Sequence, residues 1–320
     1  MHLNKKSKIF IAGHKGMVGS SILRHFKKKG YKNLFYKDKS SLDLLDQKKT
    51  FEYLKKIKPD FVIIAAAKVG GILSNTKLKS QFIFENLQIQ NNLIHGSYLA
   101  GVKNLFFLGS SCIYPANCKK PIKETYLLSG PLEETNEGYA LAKIAGLKMC
   151  EFYSKNYNLN YKGFMPPNLY GPNDNYHLSS SHFYPALIKK IYLAKKNNFQ
   201  NLLIWGDGKP KRELMFVEDF AEAIIFFMNK KIKEPFINIG IGKDYSINWY
   251  AKYLMKKIGI RLNLKYDKSK PNGMLKKCLD ISVAKKYGWI PKNNFDKGFE
   301  ITFKDFLDSI KRLNNKINKK

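Results

Sequence analysis

The sequence predicts an α/β protein: a doubly wound parallel sheet with helices on both faces, and a smaller α/β domain beside it. Three observations carry this. Short apolar runs that read as buried strands alternate with amphipathic stretches of helical length, the pattern of parallel strands joined by helical crossovers. The first run leads directly into a glycine-rich turn, Gly13-His14-Lys15-Gly16-Met17-Val18-Gly19. The chain has 320 residues, 44% of them hydrophobic, with 22 Phe and 19 Tyr, enough to bury a full core.

Taken in order, Lys8–Ala12 is the first strand, and a helix to about Lys29 follows with Val18, Ile22, Leu23 and Phe26 on one face. Strand, glycine turn and helix form a dinucleotide fingerprint of the Rossmann type. Its spacing is GxxGxxG, one residue longer between the first two glycines than GxGxxG. Such glycines allow a tight turn and let the backbone approach a pyrophosphate at the helix N-terminus. Asn33–Tyr36 reads as the second strand. An NAD-binding unit ordinarily places a carboxylate just beyond it for the ribose 2′-OH. This chain has Lys37-Asp38-Lys39, and the two cations suit the 2′-phosphate of NADP. The expected cofactor is therefore NADP(H).

A helix over Lys48–Ile57 stops at Lys58-Pro59-Asp60. Phe61–Ala67 is a strand whose small residues leave room for a flat cofactor at its mouth. Gln81–Ala100 is a long helix carrying Asn86, Asn104–Leu108 is the next strand, and Tyr161–Met165 reads as a sixth. The last ends in Pro166–Pro172, a rigid polar loop. Beyond Gly171 the rhythm changes. His177–His182 is loop, Phe183–Lys195 helix, and Leu202–Trp205 a short strand entering Gly206-Asp207-Gly208. Arg212–Asp219 leads into an apolar helix to about Met228, and Phe236–Gly240 is another strand. Interleaved pieces result: residues 1–170 and 213–242 for a dinucleotide domain, 171–212 and 243–320 for a substrate domain.

Charge narrows the function classes. A net charge of +32 invites a nucleic-acid or anionic-membrane reading. The basic residues are spread along the whole chain, however, with only a short cluster at 311–320. Only four of the 57 are arginine (Arg24, Arg212, Arg261, Arg312), although arginine is the better fork for phosphate and guanine. No nucleic-acid partner is expected. Cys112, Cys118, Cys150 and Cys278 form no CxxC pair, no metal site and no disulfide framework. The early apolar run Ile9–Ala12 is too short for a signal segment, and no stretch reaches membrane-span length. A cytoplasmic protein with no membrane partner is expected.

The chemistry is expected at Tyr139-Ala140-Leu141-Ala142-Lys143 and the facing stretch Gly109–Pro115. Residues four apart share a helix face, so Tyr139 and Lys143 can act on one substrate. A free tyrosine has a pKa of about 10. A close cation favours phenolate, and about 3–4 kcal/mol of differential interaction would bring the phenol near neutrality. Ser110 follows the strand Asn104–Leu108, at the end where open α/β sheets bind ligands. Alone, a Tyr–Lys pair is ordinarily a solvated helix face, Cys112 a small buried hydrophobe and Arg212 a loop charge.

Together these pieces resemble the extended short-chain dehydrogenase/reductases that act on nucleotide sugars, and among them the GDP-L-fucose synthase family. The resemblance covers nearly the whole chain. It rests on IAGHKGMVGS (Ile11–Ser20), AAAKVGGI (Ala65–Ile72), LGSSCIYP (Leu108–Pro115), NEGYALAKIAGLKMCE (Asn136–Glu151), NLYGPNDNYH (Asn168–His177) and SKPNG (Ser269–Gly273). It implies an epimerase–reductase acting on a GDP-4-keto-6-deoxy sugar. Tyr139 would protonate the C4 oxygen, Ser110 would bond the same oxygen, and Lys143 would hold the nicotinamide ribose and lower the tyrosine pKa. Cys112 and His182 would exchange protons beside the ketone, where the carbonyl acidifies its neighbouring C–H.

Implied cofactor contacts are Gly13, Lys15, Gly16, Met17, Val18, Gly19, Lys37, Lys39, Ala66, Leu108, Lys143, Pro166, Asn168, Leu169 and His182. For the GDP-sugar the resemblance implies Lys190, Trp205, Arg212, Asn272 and Lys277. A homodimer through the Gln81–Ala100 and Glu137–Tyr157 helices is also implied. This chain departs from the family at Lys190 (usually arginine), Asn272 (aspartate in SKPDG) and Pro167 (threonine), all near the sugar-nucleotide pocket. A C4 reductase of a related GDP-4-keto sugar or deoxyheptose, without epimerisation, is the alternative. A non-catalytic dinucleotide sensor would lack the Tyr–Lys pair.

Overall fold

The structure, a computed structural model, describes residues 2–317. Its centre is a six-stranded, all-parallel sheet in the order Phe236–Asn238, Asn160–Met165, Asn104–Leu108, Phe61–Ile64, Ile9–Ala12, Leu34–Phe35. Every residue of the three strands Ile9–Ala12, Phe61–Ile64 and Asn104–Leu108 is buried. Alternate side chains enter opposite cores, as the two-residue period requires. Ile9, Ile11, Phe61, Ile63 and Phe106 pack beneath the helices Met17–Lys28 and Val217–Phe227. Phe10, Val62, Ile64, Leu105 and Phe107 pack beneath Gln47–Ile57, Lys79–Leu99 and Glu137–Tyr157. The doubly wound parallel sheet is the fold that the sequence predicts.

A third core belongs to the smaller subdomain. It is built from the helices Phe183–Lys196, Ile247–Ile258 and Phe295–Ile317 with the strand Asn201–Trp205. That strand pairs in parallel with Asn263–Asp267. Lys211–Arg212 lies between Tyr245–Ser246 and Lys276–Lys277 in a second small sheet. The short helix Ser282–Lys286 and Trp289 lean back onto the large sheet's core.

Several expectations need correction. Tyr161–Met165 belongs to the fifth strand in chain order, Asn160–Met165. The Pro166–Pro172 loop contains a strand, Asn168–Tyr170, paired with Leu214–Phe216. The first of the long helices begins at Lys79, and a separate short helix, Ile72–Lys77, precedes it. One and a half turns show too little periodicity to be read from sequence. The third strand stops at Ile64, so Ala65–Ala67 leave the sheet at its carboxyl end. Strand order reverses around Ile9–Ala12, which opens a ligand crevice at that end of the sheet.

Candidate active site

The glycine turn sits at this switch point. Gly13 has φ +87°, and a Cβ there would lie 2.6 Å from the Ala66 backbone nitrogen. A Cβ on Gly19 would lie 2.2 Å from the Gly13 carbonyl oxygen. Turn, helix and the Ala65–Ala67 segment thus meet backbone to backbone, which only glycine allows. The helix Met17–Lys28 starts at Gly16 with no side-chain cap and no acid in its first turn. Its free N–H groups and positive dipole end fit a pyrophosphate. Asp38, beyond the second strand, is held by Lys15 at 2.7 Å and His14 at 3.1 Å. The Lys15 hydrogen bond holds its carboxyl below the usual range. Lys37 and Lys39 are exposed on either side, with Lys39 4.0 Å from Asp43.

Tyr139 and Lys143 stand on Glu137–Tyr157, which packs closely on Lys79–Leu99. A Cβ on Gly138 would lie 2.8 Å from the Lys79 carbonyl oxygen, and the buried Gln90 donates to the Ala142 carbonyl at 2.6 Å. Lys143 is 4% exposed; its ammonium donates to the Leu108 carbonyl at 2.8 Å and lies 5.8 Å from the centre of the Tyr139 ring. Burial lowers its pKa to about 8. The expected lowering of Tyr139 by Lys143 is not what the structure holds. Burial, and then the nearby Cys112, push the phenol above its ordinary value against a hydrogen bond from Ser110. The ammonium is turned to a carbonyl, and a dry site favours the neutral phenol. At neutral pH Tyr139 is therefore a proton-bearing acid.

Ser110 caps the short helix Ser111–Ile113, its hydroxyl accepting from the Cys112 N–H at 3.2 Å. Cys112 is half-buried. Lys277 donates to its Sγ at 3.1 Å, and Asn136 Nδ2 lies 3.7 Å away. Burial pushes the thiol up, but the Lys277 charge and hydrogen bonds from Ser110 and Lys277 outweigh it, and the net direction is down. His182 is the exposed N-cap residue of the helix Phe183–Lys196. The surrounding protein, and then the Lys277 charge, lower its pKa. The segment before it is fastened to AAAKVGGI. Gly71 N–H donates to the Ser180 carbonyl at 2.8 Å, and a Cβ on Gly71 would lie 2.2 Å from the Ser181 oxygen.

Four of the five residues expected at the GDP-sugar gather elsewhere. Lys190 donates to the Leu203 carbonyl at 2.9 Å, with its ammonium 5.1 Å from the centre of the Trp205 ring system. Arg212 donates to the Met274 and Asn272 carbonyls at 2.5 and 3.0 Å. The Asn272 side-chain oxygen accepts from Asp207 N–H at 3.0 Å. Asn272 also lines an open cavity of about 540 Å³ with Gly206, Lys209, Tyr266, Lys268 and Lys270. Lys277 is in register with Arg212 and turns its ammonium to Cys112.

Sequence reasoning missed Asn136 and Glu213. Glu213 is 1% exposed and accepts backbone N–H bonds from Ile241 (2.5 Å), Gly242 (2.8 Å) and Leu279 (2.7 Å). Its only sequence signal is an acid between Arg212 and an apolar run.

The sequence model of the "NAD dependent epimerase/dehydratase family" matches residues 9–240. A "GDP-L-fucose synthase" of Sinorhizobium fredii is 43% identical over 310 residues, 97% of this chain and 98% of that protein. A "GDP-L-colitose synthase" of Yersinia pseudotuberculosis is 42% identical, covering 94% of this chain and 98% of its own. A solved structure, "MlghC, GDP-mannoheptose C4 reductase from Campylobacter jejuni with NADP bound", superposes with TM-score 0.86 at 35% identity, over 95% of this chain and 99% of that one. Among the described residues, no helix is long and apolar enough to cross a membrane. The chain thus belongs to the NAD dependent epimerase/dehydratase family, within the extended short-chain dehydrogenase/reductases and close to the GDP-sugar epimerase–reductases.

Proposed function

We propose that this protein is an NADPH-dependent epimerase–reductase that converts GDP-4-keto-6-deoxy-mannose to GDP-L-fucose. The observation that carries the reading is the meeting of Tyr139, Ser110 and Cys112 beside Lys143 at the end of the strand Asn104–Leu108. Bound NADPH would supply the hydride to C4. Tyr139 gives its proton to the C4 oxygen while Ser110 bonds the same atom, and Lys143 holds the nicotinamide ribose. Before reduction, Cys112 takes the proton from carbon beside the ketone, and His182, after taking up a proton from solvent, returns one on the opposite face. Gly13, Gly16 and Gly19 admit the pyrophosphate, with Lys15 in the same turn; Lys37 and Lys39 answer the 2′-phosphate. Met17, Val18, Ala66, Leu108, Pro166, Asn168 and Leu169 complete the cofactor's walls. Trp205 stacks with the guanine, Arg212 and Lys190 answer the diphosphate, and Asn272 orients the loop beside them.

Residues 1–170 and 213–242 form the cofactor half of this assignment, with 171–212 and 243–320 as the sugar half. We also assign a homodimer. Phe84 and Leu99 on one helix, and Leu141, Phe152 and Tyr157 on its neighbour, are large apolar side chains left exposed. Light scattering of the intact chain at micromolar concentration should give twice the chain mass; a monomer would remove the assignment.

The test of the chemistry is solvent deuterium. The wild type should place deuterium at C3 and C5 of the product, and Cys112→Ser, a far weaker base, should place little or none. His182→Asn should leave partly processed sugar. Reduction with no deuterium at either carbon would favour the second reading, a C4 reductase alone. That reading draws on the Campylobacter relative and on the departures at Pro167, Lys190 and Asn272.

A further inference from the structure

Lys277 has an unusual place for a residue expected at a diphosphate. It is 8% exposed, and among the described residues it makes no ion pair with a carboxylate. A buried ammonium needs an opposite charge or a full set of acceptors. The partner the structure gives it is the Cys112 sulfur at 3.1 Å. Its backbone is held on two sides. Lys277 is in register with Arg212, and its carbonyl accepts from Glu213 N–H at 3.1 Å. Beyond it, Leu279 N–H donates to the Glu213 carboxylate, while Ile122 N–H donates to the Cys278 carbonyl and Asp280 N–H to the Ile122 carbonyl, both at 2.8 Å. Ile122 lies in the chain that leads on from Cys112.

We propose that Lys277 is the positioning residue that holds the Cys112 sulfur as a thiolate. The proposal rests on the reading of Cys112 as the group that takes a proton from carbon. A thiolate accepts that proton directly and becomes a thiol; a resting thiol would first have to lose one. The other groups facing the sulfur do not supply a comparable cation. Ser110 and Asn136 are neutral, Tyr139 is a neutral phenol, and Glu133 opposes the thiolate. Arg212 feels the sulfur's charge but spends its donors on Met274 and Asn272, and His182 is biased towards its neutral form. The same lysine that favours the thiolate disfavours an imidazolium at His182.

The experiment is alkylation of the intact protein by iodoacetamide between pH 5 and 10, with each cysteine followed separately by mass spectrometry. Wild-type Cys112 should react at pH 7 at least about tenfold faster than Cys112 in Lys277→Met, because a neighbouring lysine depresses a thiol pKa. Cys118, whose own neighbour is Lys120 at 3.4 Å, should react alike in both and serves as the internal standard. Lys277→Arg should restore part of the rate. If the methionine variant melts below the assay temperature, Lys277→Gln is read in its place. An unchanged Cys112 profile in the folded variant, or a raised GDP-sugar KM with that profile intact, would overturn the proposal. Lys277-dependent alkylation in an enzyme that incorporates no deuterium would support the pairing and remove only the epimerase reading.

Discussion

Tyr139→Phe should lower reduction by about 10²–10⁴-fold, the usual contribution of a positioned proton donor. The ring stays, so the edge-on contact with Phe82 at 6.4 Å between centroids is kept and the fold is undisturbed. NADPH titration by fluorescence should give the wild-type affinity, and thermal melting the wild-type midpoint. The loss should appear in kcat and not in KM, because only the transition state receives the proton. Burial keeps the phenol protonated, so on the proposed reading Tyr139 has a proton to give. Loss of NADPH binding or of folding in this variant would show that the hydroxyl is structural.

Glu213→Ala should destabilise the fold by at least about 3 kcal/mol, because buried N–H donors left without an acceptor cost about 1–3 kcal/mol each. Three are at stake, from Ile241, Gly242 and Leu279. They tie the end of the edge strand Phe236–Asn238 to the chain carrying Lys277. Urea unfolding gives the number, and a loss below 1 kcal/mol would show that water or a shifted backbone replaces the carboxylate. The carboxyl also sets a pH dependence. Burial pushes its pKa up to about 7 from an ordinary 4.5, against the three N–H donors. A folded-state value above the unfolded one means that its stabilising contribution is complete below pH 4.5 and is lost as the pH rises through about 7. The stability of the wild type relative to Glu213→Gln should therefore fall across that window.

What the sequence revealed depended on how local the cause was. Strands such as Phe61–Ile64, buried on both faces, read as unbroken apolar runs, and the glycine turn is written in consecutive residues. The spacing of Tyr139 and Lys143 was equally plain, since helix geometry alone puts them on one face. Their electrostatics were not, because burial comes from the packing of distant elements. Strands of two charged residues, Lys211–Arg212 and Lys276–Lys277, carry no apolar pattern at all. They exist through pairing across the fold, so nothing near Lys277 announced that it would turn to a sulfur. Glu213 was hidden for the same reason: its partners are backbone amides 28, 29 and 66 residues away. The helix Ile72–Lys77 was simply too short to show a period.

Lys277 follows Cys112 by 165 positions, and this has a consequence in time. Synthesis runs from the N-terminus, and domains generally fold as they emerge. The strands flanking Cys112 are complete by Met165, long before the ribosome reaches Lys277. On the proposed pairing, the sulfur lacks its lysine until that late strand docks. An unfinished chain would then carry no activated cysteine that could be oxidised or capture a stray electrophile. The reactive group would be armed by the last fifth of the polypeptide.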